Sequence, residues 1–128
     1  MNKLIIGIIV LTALGCNQSD TKKSKMEQAK IIEMVTWKSV AGVGLEEAKT
    51  AATQLNEFVS AQPGFVARKT AVAEDGRFLD IVYWTDLKSA LKASETAMKN
   101  EKLIPIFSKM DQTDMVFQHF EIYNEIEK

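Results

Sequence analysis

The order of apolar patterns between residues 31 and 126 restricts the fold of this chain more than any other feature. Four segments are rich in β-branched and aromatic side chains and predict strands: residues 31–40, 65–72, 77–85 and 115–123. Two segments, residues 45–62 and 87–98, instead place apolar side chains at helical spacing. The predicted order is therefore strand, helix, strand, strand, helix, strand.

Turn and capping residues fall at the boundaries of these patterns. Pro63-Gly64 ends the first helix, and Asp75-Gly76 is a strong hairpin signal between the second and third strands. Asp86 can cap the second helix, and Pro105 suits the start of a short extra turn. The order βαββαβ predicts a ferredoxin-like α+β fold with a four-stranded antiparallel sheet.

The first 15 residues are typical of an export signal. Lys3 is followed by an apolar run at residues 4–14, which is too short to span a bilayer because a spanning helix needs roughly 20 apolar residues. Leu14-Gly15-Cys16 resembles the end of a bacterial lipobox, so Cys16 is the expected site of lipidation. The alternative is an ordinary secretory signal in which the cysteine occurs by chance. Cys16 is the only cysteine and can form no intramolecular disulfide, which favours the lipoprotein interpretation.

The chain therefore divides into three parts: the signal peptide at residues 1–15, a tether with lipidated Cys16 at residues 16–30, and one folded domain at residues 31–128. The tether is polar and lacks periodicity, so we expect it to be flexible. Lipidation would place the protein in the cell envelope, and Asn17 after the cysteine favours the outer membrane. A net charge of −1 with interspersed Lys and Arg predicts no binding to nucleic acid.

Two stretches of residues 31–126 resemble the antibiotic biosynthesis monooxygenase (ABM) family. They are Gln62-Pro63-Gly64-Phe65 at the start of the second strand and the run from Ile81 to Asp86, Ile-Val-Tyr-Trp-Thr-Asp, that leads into the second helix. The resemblance implies a dimeric α+β barrel, a homodimer in which two four-stranded sheets pack face to face. Some members are cofactor-independent monooxygenases that act on polyketide aromatics or quinols, others degrade haem, and many have no known activity.

Two departures from the haem-degrading members stand out. Those members combine a tryptophan at the position of Trp84 with an asparagine on the first strand and a histidine on the second helix. Here the first strand has no asparagine and residues 86–110 have no histidine. We therefore expect neither haem nor any other cofactor. We also expect no metal site, because such a site needs three or four ligands and the chain has one histidine and no free cysteine.

Alternation along the strands predicts which side chains share a face of the sheet. We assign one set to the open face, away from the helices: Phe65, Lys69, Phe78, Asp80, Trp84, Phe117, His119, Glu121 and Trp37. This assignment requires a two- or four-residue turn at Asp75-Gly76, because a three-residue loop would turn the second strand over. A second copy covering this face would enclose a mostly apolar pocket. The predicted ligand-contacting residues are Trp84, Phe117, Asp80, Lys69, Phe65 and Trp37.

The function of this pocket has two interpretations. In the first, it binds a small apolar or aromatic molecule without catalysis, His119 stabilises the dimer interface, Trp84 packs, and Lys69 and Asp80 form an ion pair. In the second, His119 is the catalytic base of a cofactor-independent monooxygenase that acts on a quinol-like or polyphenolic substrate, and Lys69 and Asp80 orient that substrate. A second titratable group beside His119 would favour the enzyme, and Glu121 is the local candidate.

Replacement of Cys16 tests the lipoprotein prediction. We expect Cys16→Ser to be exported but released from membranes by a carbonate wash, because the tether has no other strongly apolar segment. Fractionation followed by immunoblotting measures this, and membrane association equal to that of the unaltered chain would refute lipid anchoring.

Overall fold

The computed structural model describes residues 25–128. The regular elements are β1 Ile31–Trp37, α1 Leu45–Ser60, β2 Phe65–Val72, β3 Phe78–Trp84, α2 Leu87–Met98, the single turn α3 Ile104–Phe107 and β4 Val116–Glu121. The predicted order βαββαβ is confirmed, with α3 as the extra turn. The signal peptide, Cys16 and residues 17–24 of the tether lie outside the described residues. Within residues 25–128, no helix combines the length and the apolarity needed to cross a membrane.

The four strands form one antiparallel sheet in the order β2-β3-β1-β4. Strands β1 and β3 are central, and β2 and β4 are the edges. This arrangement is the α+β ferredoxin-like fold that the sequence predicted. It places β4 directly beside β1, so that Glu33 lies opposite His119 and Val35 lies opposite Phe117.

Large aromatic residues of the sheet pack against small residues of the helices. Trp37 and Trp84 are each 1% exposed, and Trp37 stacks on Phe78 with ring centroids 4.1 Å apart. The helices contribute buried alanines to these two clusters: Ala48, Ala51 and Ala52 from α1, and Ala90 and Ala93 from α2. Because alanine leaves room above the sheet, the bulky strand residues fill most of the space between the two layers.

The face assigned to the open side of the sheet is in fact the face that the helices cover. Trp37, Phe78 and Trp84 do share one face, but it is the helix-covered one, so that part of the prediction is wrong. Alternation groups side chains into two sets without showing which set meets the helices. The alanine-rich helices explain which face they cover, because their small side chains leave space that the large strand side chains fill.

The hairpin also differs from the predicted register. The Ala73 amide donates to the Arg77 carbonyl at 2.8 Å, which leaves a three-residue loop at 74–76. Thr70 therefore lies opposite Asp80, and Lys69 lies opposite Ile81 on the other face. An irregularity between Phe65 and Ala67 restores the pairing of Phe65 with Trp84. The prediction that Lys69 shares a face with Asp80 is wrong because the loop has three residues.

The opposite face of the sheet carries apolar side chains that no described element covers. Val116 and Phe120 are 49% and 41% exposed, although both lie on a strand. The apolar residues of β1 and β3 on the same face are partly exposed: Ile32, Met34, Leu79, Ile81 and Tyr83. A face of this composition is typical of an interaction surface.

Local signals at the start of β2 and α2 act as the sequence predicts. The Asp86 side chain accepts a hydrogen bond from the Ser89 amide at 2.7 Å and caps α2. Gly64 has a φ of +81°, and a Cβ at this position would lie 2.5 Å from Ser89. Glycine therefore allows the start of β2 to approach α2 closely.

Candidate functional site

A cavity of about 360 Å³ lies between the sheet and the helices of one chain. Its size falls in the usual range for small-molecule sites, roughly 300–1,000 Å³. The lining is mainly aliphatic, aromatic and methionine side chains: Val35, Trp37, Leu55, Phe58, Val59, Val82, Trp84, Ala93, Ala97, Met98, Phe107, Met110, Met115 and Phe117. Four polar residues complete it: Glu33, Asp80, Ser94 and Gln112.

The structure brings four of the six predicted ligand-contacting residues to this cavity. Trp37, Asp80, Trp84 and Phe117 line it. Phe65 meets Trp84 edge-on, with ring centroids 6.1 Å apart, and does not reach the cavity wall. Lys69 is exposed on the opposite face of the sheet, so its predicted place in the pocket is wrong. The cavity is formed within one chain, whereas we expected a pocket enclosed by two sheets.

Glu33 and His119 form a hydrogen-bonded pair at the wall of the cavity. The Nε2 atom of His119 lies 2.8 Å from Oε2 of Glu33, and the two side chains are 16% and 10% exposed. The Ser94 hydroxyl donates to the same oxygen at 3.4 Å. Both contacts reach Oε2, so within residues 25–128 the other oxygen, Oε1, has no such partner. That oxygen can accept a hydrogen bond from a molecule in the cavity.

Burial raises the pKa of the Glu33 carboxyl above its ordinary value, because an apolar wall disfavours the charged form. The hydrogen bond and the charge of His119 lower the pKa of this carboxyl, and the negative charge of Asp80 raises it. Burial prevails. A carboxyl whose pKa moves toward neutral is better suited to exchange a proton with a bound molecule than an exposed one.

Asp80 lines the same cavity and forms an ion pair with Arg68. Arg68 holds the Asp80 carboxylate with two hydrogen bonds, at 2.9 and 2.6 Å, and the two side chains are 5% and 14% exposed. The Arg68 guanidinium also donates to the Ala52 carbonyl at 2.9 Å and to the Asn56 side chain at 2.6 Å. Arg68 therefore joins β2 and β3 to α1 and leaves Asp80 neutralised.

Trp84 contributes a second polar atom near the cavity. Its indole N–H is buried and finds no acceptor among residues 25–128. A buried donor without a partner costs about 1–3 kcal/mol. Trp84 lines the cavity with other atoms of its ring, whereas the indole nitrogen itself is enclosed by protein.

Glu33 is the functional residue that sequence reasoning missed. We considered Glu121 as the partner of His119, but Glu121 is exposed and lies opposite Ile31. Pairing of the first and last strands, which the ferredoxin-like order requires, could have placed Glu33 beside His119. Within the described part of the chain, no group of three or more His, Cys, Asp or Glu side chains is arranged to hold a metal ion.

Comparison with protein-family models and with curated proteins gives no match. Solved structures do match. SnoaB, a cofactor-independent oxygenase from Streptomyces nogalater, is 18% identical with a TM-score of 0.59 over 78% of this chain and 100% of its own. The monooxygenase from the gene ActVA-Orf6 of Streptomyces coelicolor, in complex with nanaomycin D, is 13% identical with a TM-score of 0.59, covering 80% and 95%.

A protein of Deinococcus radiodurans assigned to the antibiotic biosynthesis monooxygenases is 16% identical, with a TM-score of 0.57 over 77% of this chain and 97% of its own. The structural neighbours are therefore ABM-like proteins, in agreement with the resemblance seen in the sequence. At these identities the likeness establishes the fold.

Loss of Arg68 tests the buried ion pair that supports the cavity. We expect Arg68→Met to lower the free energy of unfolding by roughly 3–5 kcal/mol, because Asp80 would remain buried without its cation. Lys49→Met, which removes the exposed pair with Glu46, should cost less than about 1 kcal/mol. Urea unfolding measures both.

The double variant Arg68→Met/Asp80→Leu should recover much of the loss, since it leaves no buried charge unpaired. Equal effects of Arg68→Met and Lys49→Met would contradict the role given to Arg68.

Proposed function

We propose that this protein binds a small aromatic molecule with an ionisable hydroxyl group in the cavity and oxygenates it without a cofactor. The observation that carries the proposal is the Glu33–His119 pair, a titratable pair at the wall of an otherwise apolar cavity. The ABM-like fold supports it, since neighbours with this fold include a cofactor-independent oxygenase and a monooxygenase.

A quinol can supply every electron that such a reaction needs. Quinol and O₂ give a hydroxyquinone and water: one oxygen atom enters the ring, the other leaves as water, and the substrate loses four electrons. Neither a metal nor a flavin is required if the substrate first becomes an electron-rich anion. The protein must then remove a proton and exclude bulk water.

Glu33 and His119 would remove that proton together. Oε1 of Glu33 accepts the substrate hydroxyl, and the proton taken up is shared with His119 across the 2.8 Å contact. Burial raises the pKa of the Glu33 carboxyl and so makes it a stronger base than an exposed carboxylate. The aromatic and aliphatic walls would keep water away from the anion.

We further propose that the protein works as an anchored homodimer at the cell envelope. The lipobox-like sequence ending at Cys16 supports the lipid anchor. The exposed apolar face around Val116 and Phe120 supports a second copy packed sheet to sheet, which would leave each cavity within its own chain. The apolar ligand and the membrane are then the expected partners, and nucleic acid is not.

Oxygen uptake with a panel of quinols and polyphenols tests the catalytic proposal. We expect Glu33→Gln and His119→Asn each to reduce kcat at least about 100-fold, the usual size of a lost general base. Turnover of the unaltered chain should rise with pH as the pair loses its proton. Glu121→Gln, which removes an exposed carboxylate from the same strand as His119, should keep normal activity.

Ligand binding without oxygen uptake would reduce the function to binding alone. Unchanged turnover in Glu33→Gln would refute the proton transfer even if the enzyme were active. Circular dichroism and light scattering of each variant separate loss of chemistry from loss of fold or of the dimer.

A further inference from the structure

The ionisable groups that line the cavity all belong to acidic residues. Glu33 and Asp80 contribute side chains to the wall, whereas residues 25–128 contribute no lysine, arginine or histidine to it. Each of the two carboxylates has a basic partner that is not part of the lining. Arg68 binds Asp80 with two hydrogen bonds, and His119 binds Glu33.

The net charge of the wall is zero or below unless Glu33 and His119 are both protonated. The Arg68–Asp80 pair is neutral, because both partners are buried and doubly hydrogen-bonded. The Glu33–His119 pair is neutral if it holds a proton and carries one negative charge if it does not. With one proton or none, these groups supply no net positive charge to a bound anion; that would require both Glu33 and His119 to be protonated.

We infer that the cavity selects uncharged aromatic molecules that carry a hydroxyl donor and rejects those that carry a carboxylate or sulfonate, with Glu33 as the specificity-determining residue. This rests on the proposed function of the cavity. A ligand hydroxyl can donate to Oε1 of Glu33, whereas a ligand carboxylate would be buried beside Glu33 and Asp80 without a cation.

Formation of a substrate anion inside the cavity does not conflict with this selection. When a neutral hydroxyl transfers its proton to Glu33 and His119, the negative charge moves from the pair to the substrate. The summed charge of pair and substrate stays the same. A molecule that arrives as an anion adds one charge to the total. Its binding therefore requires that a proton be taken up from water, by the ligand or by the Glu33–His119 pair, or that its charge remain unpaired in an apolar wall.

Three naphthalene derivatives test the inference by isothermal titration calorimetry on the purified full chain at neutral pH. We expect 2-naphthol, a neutral donor, to bind most tightly and 2-methoxynaphthalene, neutral without a donor, to bind more weakly. The anion 2-naphthoate should bind at least about tenfold more weakly than 2-naphthol. Quenching of tryptophan fluorescence locates the ligand, because both tryptophans of the chain line the cavity.

Replacement of Glu33 tests its role in the selection. Glu33→Gln keeps a side chain of similar shape. We expect it to reduce the ratio of the affinity for 2-naphthol to the affinity for 2-naphthoate at least fivefold. The matched control is Glu121→Gln, which removes the same charge from an exposed position outside the lining and should leave the ratio unchanged.

Equal affinity of the unaltered chain for naphthol and naphthoate would overturn the inference and leave the cavity as a binding site. An unchanged ratio in Glu33→Gln, with the variant folded by circular dichroism, would overturn the assignment to Glu33. If none of the three compounds bound, the proposed function would be refuted as well. The comparison on the unaltered chain decides the charge selection even if Glu33→Gln does not fold.

Discussion

The packing of two tryptophans against alanine-rich helices is the interaction on which the rest of this structure depends. Trp37 and Trp84 are almost fully buried on adjacent strands, and the helices opposite them contribute alanines at the points of contact. Where the lining includes Phe58, Met98 and Met115, the two layers leave a cavity of about 360 Å³ between them. The cavity is therefore a consequence of how large and small residues are distributed across the core.

A carboxyl group at the wall of such a cavity is costly unless it has partners. Glu33 is 8% exposed at the wall of this cavity. His119 and Ser94 satisfy one of its oxygens. An apolar residue would fit the same wall without desolvation of a charge, so the presence of Glu33 favours a chemical role over a structural one. Asp80 differs because Arg68 holds it and uses the same guanidinium to bind α1.

The sequence predicted the elements and their order well because each depends on local patterns. Asp86 caps α2 through a contact with Ser89, and α1 ends at Ser60, shortly before Pro63-Gly64. The grouping of Trp37, Trp84 and His119 on one face was also correct, since alternation is local. Which face meets the helices depends on contacts between distant residues. The face on which Lys69 lies changes if the hairpin loop is one residue longer or shorter. Glu33 can be recognised as the partner of His119 only once β1 and β4 are known to pair.

The ionisation state of a bound phenol tests the central claim, that Glu33 and His119 take a proton from a ligand hydroxyl. A nitrophenol whose anion absorbs at a longer wavelength than its neutral form can be added at a pH where the free phenol is neutral. The account predicts that the anion spectrum appears on binding and is absent with Glu33→Gln. A bound phenol that keeps the neutral spectrum in the unaltered chain would contradict it.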